Sequence, residues 1–113
     1  MKFIEFREFK EFTRVISEIA TDKELHDLQL ELCERPGRGD LIKKTGGARK
    51  IRMNLPNRGK RGGARVIYYW QDDHGVIWFL KAYAKNEASD LTEKEKKAIS
   101  IIISEIKRGN NDE

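Results

Sequence analysis

The chain of 113 residues has little of what disulfides, metal sites and nucleophilic active sites require. Cys33 is its only cysteine, which excludes an internal disulfide and a cluster of thiolate metal ligands. Its two histidines, His26 and His74, lie 48 positions apart, and neither has a partner at metal-ligand spacing. We therefore expect no metal and no cofactor, and we expect the histidines to be structural or surface residues rather than parts of a catalytic triad.

Long apolar runs are absent as well. No stretch of the sequence is apolar over the length that a bilayer requires. The N-terminal segment MKFIEFREFK alternates charged and aromatic residues, unlike a signal peptide. We therefore expect a cytoplasmic protein with no membrane partner. The glycine-rich residues 59–63 precede a predicted strand and lack the spacing of a P-loop, so they do not support a nucleotide site.

Acidic residues are missing from one continuous part of the chain. Residues 41–71 contain nine Lys and Arg residues and no Asp or Glu, whereas the whole chain has 23 basic and 19 acidic residues. This window therefore carries a charge of +9 and the remainder −5, which combine to the formal net charge of +4. A merely solvated surface would mix both signs. Interleaved glycines and the aromatic run Tyr68-Tyr69-Trp70 instead indicate binding to RNA phosphate.

The chain length and the apolar periodicity predict one small α+β domain. We assign residues 1–108 to this domain and expect residues 109–113 to fray. The element order is β-α-α-β-β-β-α, and we expect an antiparallel sheet that packs against helices on one face. The predicted strands cover residues 2–6, 48–53, 64–70 and 76–83. The first helix carries Phe9, Phe12, Ile16 and Ile19 on one face, and the other two helices follow Thr21 and Thr92.

Strand alternation sorts the basic residues onto the two faces of the predicted sheet. Lys50 and Arg52 share one parity, whereas Arg49 shares the other with the apolar Ile51 and Met53, which should meet the helices. Lys50 and Arg52 should then lie on an open face. The same face can also receive basic and aromatic residues of the following strands, namely Arg65, Lys81, Tyr83 and Lys85. The parity is imperfect, because Arg65 shares its face with Ile67 and Tyr69.

A cluster of cations could either bind RNA or cleave it. Basic residues and stacking aromatics suffice for binding. For cleavage, the 2′-hydroxyl attacks the neighbouring phosphate, cations stabilise the added negative charge, and a crowded lysine with a lowered pKa can transfer protons. Composition alone leaves both alternatives open.

Three sequence blocks resemble the RelE/HigB superfamily of type II toxins, which are ribosome-dependent mRNA endonucleases. The resemblance is strongest to the HigB-type branch, covers nearly the whole chain, and agrees with the predicted element order. The blocks run in the family's order and occupy residues 46–52, 59–69 and 83–92.

The resemblance also implies roles for individual residues. Lys50 and Arg52 are implied in proton transfer and phosphate contact, Arg65 in stabilising the transition-state phosphate, and Lys85 in the same catalytic set. Many relatives place a tyrosine where this chain has Thr92; that role is not carried over, because Thr92 has a predicted capping role, and Tyr83 or Tyr69 are the alternative candidates. The wider set that we predict to bind RNA comprises Lys43, Lys44, Arg49, Arg58, Lys60, Arg61, Tyr69, Lys81, Tyr83 and Asn86.

We therefore expect the toxin of a type II toxin–antitoxin system. The resemblance implies a metal-independent mRNA interferase that cleaves in the A site of the small ribosomal subunit and leaves a 2′,3′-cyclic phosphate. It also implies a cognate antitoxin, which we expect to be a helix-turn-helix protein. Two alternatives stay open: a non-catalytic RNA- or ribosome-binding domain, and a ParE-like toxin directed at gyrase.

Overall fold

The computed structural model describes residues 3–55, 63–84 and 91–109. The predicted order of elements is confirmed, with one short strand added in the segment that was expected to be a loop. The strands are β1 (Glu5–Glu8), β2 (Asp40–Leu41), β3 (Ala48–Asn54), β4 (Gly63–Gln71) and β5 (Val76–Ala84). The helices are α1 (Lys10–Ile19), α2 (Asp22–Glu34) and α3 (Glu93–Lys107).

Local sequence chemistry explains where two of the helices begin. The hydroxyl of Thr21 accepts the backbone N–H of Glu24, and the Glu24 carboxylate accepts the N–H of Thr21 in return. Thr92 and Glu95 form the same reciprocal capping box at the start of α3. Both boxes satisfy backbone donors that have no partner within the helix, and so they set the first residue of each helix.

The five strands form one sheet in the order β1-β5-β4-β3-β2. The expectation of a purely antiparallel sheet is wrong at one edge, because β1 pairs with β5 in the parallel direction. The ring of Phe6 in β1 stacks on Phe79 of β5 with centroids 5.5 Å apart. Two helices and three strands lie between β1 and β5 in the chain, and this long connection allows the two strands to pair in parallel. The pairing packs the ring of Phe6 against β5 at this edge.

Helices cover both faces of the sheet, which corrects the expectation that they pack on one face. Helices α1 and α2 bury Phe12, Leu28 and Leu32 on one face, and α3 buries its isoleucines on the other. The physical reason is that β4 and β5 are apolar at both parities, so each face needs a cover. We call the face under α1 and α2 the hairpin face and the opposite one the α3 face.

A β-bulge shifts the parity within β5, whereas Arg65, Ile67 and Tyr69 of β4 do share the α3 face. Ile67 pairs with Lys81 but the next residue, Tyr68, pairs with Phe79, so Leu80 is the extra residue. Beyond the bulge, Lys81 and Tyr83 lie on the α3 face, although Phe79 lies on the hairpin face. None of the helices in the part of the chain that is described is long and apolar enough to cross a membrane.

Candidate nucleic-acid interface

Two rows of side chains cross the α3 face on strands β3, β4 and β5. Register places Arg52 opposite Arg65 and Arg65 opposite Tyr83; we call these three the arginine row. One step away, Lys50 lies opposite Ile67, and Ile67 opposite Lys81; these form the lysine row. The sequence prediction that strand parity unites Lys50, Arg52, Arg65, Lys81 and Tyr83 on one face therefore agrees with the observed register.

Helix α3 covers the α3 face unevenly. Its buried residues Ile99, Ile103 and Ile106 cluster with Ala48 and Tyr69, which lie towards the other end of the strands. Arg52 is exposed and Arg65 is partly exposed, whereas the Tyr83 side chain is buried at 8% exposure beside them. The arginine row is thus open to solvent on the β3 side and closed by an aromatic ring on the β5 side.

Backbone hydrogen bonding shows that the two arginines approach closely. The carbonyl of Ala48 accepts the N–H of Ile42, and the N–H of Ala48 donates to Thr45 Oγ1, so the Ala48 backbone points away from β4. Backbone direction alternates along a strand, and the register with β4 is unbroken, so Arg52 also points away from β4. Arg52 and Arg65 are then a non-hydrogen-bonded pair, the kind with Cα atoms only about 4.5 Å apart.

No acid neutralises this pair in the part of the chain that the structure describes. Neither Arg52 nor Arg65 takes part in an ion pair or a side-chain hydrogen bond with another described residue. Like charges directly opposite each other on a sheet destabilise it. A pair of cations kept in this way is an anion-binding arrangement, because a phosphate between the guanidinium groups would remove the repulsion and receive hydrogen bonds from both.

The lysine row receives one acidic residue from α3. Glu95 Oε2 lies 3.9 Å from Lys81 Nζ, and Glu95 is held in place by the N–H of Thr92. Only 28% of the Lys81 side chain is exposed. Sequence reasoning identified Glu95 as a capping residue but missed that it faces the basic cluster, since the docking of α3 on this face is a property of the tertiary structure.

Arg49 lies apart from the two rows. Its guanidinium Nη1 donates to the carbonyl oxygens of Gly37 at 2.9 Å and Gly39 at 2.7 Å, and its partner in β4 is Tyr68 on the hairpin face. This position gives Arg49 a structural contact with the loop before β2. Its predicted contact with RNA remains untested.

Tyr69 also lies away from the arginine row. It faces Ala48 and Trp78, it is 9% exposed, and Lys107 Nζ lies 5.9 Å from its ring centroid. Burial raises the pKa of Tyr69, and the nearby charges of Asp73 and Asp72 raise it further. A tyrosine with a raised pKa is less suited to accept a proton at neutral pH. Of the two candidate tyrosines, Tyr83 is the one that lies in the arginine row.

Some of the flanking basic residues lie on the described surface, and the others lie outside the described residues. Lys43 and Lys44 are exposed in the turn before β3, and Lys44 Nζ lies 3.5 Å from the Glu93 carboxylate. The remaining predicted residues, Arg58, Lys60, Arg61, Lys85 and Asn86, lie outside the described residues. Within the described ranges, no three His, Cys, Asp or Glu side chains gather closely enough to hold a metal ion.

Comparison with known proteins identifies the family of this chain. A family profile described as the RelE toxin of the RelE / RelB toxin-antitoxin system matches residues 6–113. The chain belongs to the RelE toxin family. The resemblance inferred from the three sequence blocks is therefore confirmed, and this toxin is of the RelE/HigB type.

A solved structure shares the fold of this toxin. It is the free form of the E. coli toxin RelE in which two arginines are replaced by alanine. The two sequences are 18% identical, the match covers 91% of this toxin and 98% of the other chain, and the TM-score is 0.53. At this level of identity the likeness establishes the common α+β architecture.

Proposed function

We propose that this toxin is an endoribonuclease that cleaves mRNA in the A site of the ribosome and so inhibits translation. The proposal is supported by membership of the RelE family and above all by one observation, the directly opposed Arg52 and Arg65 without an acidic partner among the described residues. The two opposed guanidinium groups can both donate hydrogen bonds to the same phosphate. A phosphate held in this way can be the scissile one or its neighbour.

The proposed reaction uses groups in and near the two rows. The 2′-hydroxyl gives up its proton to a base and attacks the adjacent phosphorus, the bond to the 5′ oxygen breaks, the 5′ oxygen takes up a proton, and a 2′,3′-cyclic phosphate remains. Arg65 and Arg52 stabilise the charge that develops on the non-bridging oxygens. Lys50, one step along β3, is the proposed proton-transfer residue, with Tyr83 as the alternative, and Lys85 and Asn86 complete the proposed set from outside the described residues.

The family also supports a partner that controls the toxin. We propose a cognate antitoxin, of the helix-turn-helix type suggested by the sequence, together with the ribosome and mRNA as binding partners. The exposed Lys43 and Lys44 would contact ribosomal RNA rather than the reacting phosphate, since they lie in the turn outside both rows.

Arg65→Ala tests the proposal. Because a donor directed at developing charge typically contributes about 10²–10³ in rate, the variant should lose growth inhibition and A-site cleavage by that factor. Cleavage is measured by primer extension on a translated message, and the product by ligation that requires a 2′,3′-cyclic phosphate. Arg14→Ala is the matched control, since Arg14 is an exposed arginine of α1 on the other side of the sheet.

The alternatives give different outcomes in the same assays. A non-catalytic binding domain would inhibit growth without cut ends, and its inhibition would fall only in proportion to RNA affinity. A gyrase-directed toxin would leave mRNA intact and block DNA supercoiling. Cleavage by Arg65→Ala at the rate of the unaltered toxin would overturn the assigned site.

A further inference from the structure

Among the described residues, one half of strand β3 is an open edge of the sheet. Strand β2 pairs only with Arg49 and Lys50, and no described strand pairs with the outer side of β3 beyond them. By the alternation established at Ala48, the N–H and C=O groups of Arg52 and Asn54 point outwards from this edge. Those of Ile51 and Met53 point towards β4. The edge therefore offers backbone donors and acceptors to another extended chain.

The loop before β2 is held away from this edge. The buried Tyr68 hydroxyl donates to the carbonyl of Pro36 at 2.7 Å and accepts the N–H of Gly39 at 2.9 Å. The Arg49 guanidinium holds the carbonyls of Gly37 and Gly39 from the same side. These contacts fix the loop before β2, so the segment that could have extended β2 along β3 turns towards α2 instead.

A groove separates the open edge from helix α2. It has a volume of about 700 Å³ and is lined on one side by residues 50–54 of β3 and on the other by one face of α2. The α2 side presents Glu24, Asp27 and Glu31 around the apolar Leu28, and the cations Lys23 and Arg38 also line the groove, in ion pairs with Asp27 and Glu31. With three carboxylates on α2 against two cations, this side is acidic on balance, and we call it the acidic wall. The β3 side presents the edge of the strand, from which the side chains of Lys50 and Arg52 project on the α3 face.

These walls define the chemistry of an occupant. A strand added to β3 would place alternate side chains on the α3 face, beside Lys50 and Arg52, where acidic groups are favoured. The other side chains would enter the hairpin face, between Ile51, Met53 and the acidic wall of α2, where apolar and basic groups are favoured. An RNA strand would meet the repulsion of that acidic wall and could not continue the backbone ladder.

We propose that the open edge of β3 binds an extended segment of the antitoxin as an added strand. The segment alternates acidic residues with apolar or basic ones over about four to six positions, the length of the edge. Its acidic side chains would reach Arg52 and occupy the anion site of the arginine row. This inference deepens the proposed function and rests on its antitoxin partnership.

Hydrogen exchange of individual amides tests the docking directly. The probe is the protein encoded beside the toxin gene, purified with the full toxin as a complex. The outward amides of Arg52 and Asn54 should exchange at least about tenfold more slowly in the complex than in the free toxin. The amides of Ile51 and Met53 are an internal control, since β4 already protects them in both states.

Substitutions at the groove provide a second measurement. Asn54→Pro removes one outward N–H and should weaken antitoxin binding about tenfold, whereas Asn54→Ala, which keeps it, should change binding less than about twofold. Asp27→Lys reverses charge on the acidic wall and should weaken binding about fivefold. Glu18→Lys on α1 is its control. Asp27 is exposed on α2, so Asp27→Lys should fold even if Asn54→Pro does not.

The outcomes separate this inference from the proposed function. A complex that leaves the Arg52 and Asn54 amides unprotected overturns the docking and leaves RNA cleavage standing. Protection of these amides by a non-cleavable RNA instead of the antitoxin also overturns it. If the neighbouring protein forms no complex, the antitoxin partnership fails together with the docking. Cleavage assays on the free toxin decide the endonuclease activity independently.

Discussion

Replacing Arg52 by glutamine should make the folded toxin more stable while it impairs function. The reason is the repulsion between Arg52 and Arg65, which no described acid relieves. At a separation of about 6 Å, two unit charges repel by about 0.7 kcal/mol at the dielectric constant of water and by about 3 kcal/mol at an effective value of 20. Arg52 is exposed, so the lower part of this range applies, about 0.7–1 kcal/mol. That corresponds to a rise in Tm of about 3–6 °C for a chain of this length.

Urea unfolding at two salt concentrations measures the effect. At about 0.01 M salt the Debye length is about 30 Å and the repulsion acts fully, whereas at about 1 M it is about 3 Å and the repulsion is screened. The stability gain of Arg52→Gln should therefore shrink as salt rises. Arg52→Lys keeps the charge and should show no such gain. In a double-mutant cycle with Arg65→Gln, the coupling should be repulsive at low salt and vanish at high salt.

Two results would refute this reasoning. One is a loss of stability in Arg52→Gln at low salt, which would mean that Arg52 has a stabilising partner. The other is a gain that does not depend on salt, which would point to improved strand propensity rather than relieved repulsion. The same variant should cleave mRNA more slowly than the unaltered toxin, and a variant that is both more stable and fully active would remove the functional reason for the pair.

Two further predictions concern the loop that holds the edge open. Tyr68→Phe leaves the carbonyl of Pro36 and the N–H of Gly39 without their buried partner and should cost about 1–3 kcal/mol in urea unfolding. Burial raises the pKa of Tyr68. The contribution of Tyr68 to the free energy of unfolding is therefore complete below the unfolded pKa of about 10 and is lost as pH rises through the higher folded pKa. Because Tyr68→Phe lacks the hydroxyl, its free energy of unfolding should fall less steeply at alkaline pH. Gly39→Ala would place a Cβ 2.8 Å from the Tyr68 ring and 2.9 Å from the Lys50 carbonyl, and should raise the unfolding rate and cost about 1–3 kcal/mol. A Gly39→Ala variant as stable as the unaltered toxin would show that the loop is not packed as tightly as these distances indicate.

Local interactions account for the parts of the fold that could be predicted from sequence. The capping boxes at Thr21 and Thr92 act within four residues, and the helices begin where those boxes place them. The parallel pairing of β1 and the short strand β2 depend on contacts between distant segments. Three residues of apolar alternation cannot specify which edge of a sheet they join, so the sequence supported the wrong, purely antiparallel sheet.

The candidate site, too, could be predicted only in part from the sequence. Lys50, Arg52 and Arg65 were predicted to share a face because the two-residue period of a strand is geometric and needs no tertiary information. The bulge at Leu80 could not be predicted from that period, yet it turns Lys81 and Tyr83 onto the same face. The sequence carries one signal of it, because the apolar Ile77 and Phe79 have the same parity as Lys81 and Tyr83. Residues of such different character at one parity indicate that the register shifts between them.

Arg52 connects the two surfaces of this toxin. Its side chain belongs to the arginine row, and its backbone N–H and C=O belong to the open edge of β3. An antitoxin strand on that edge would therefore bring acidic side chains to the anion site without covering the rest of the α3 face. It would compete with phosphate for the same guanidinium and relieve the same repulsion. In this proposal Arg52 and Arg65, which have no acidic partner among the described residues, would bind either RNA or an acidic strand, and the repulsion that lowers the stability of the free toxin would favour both.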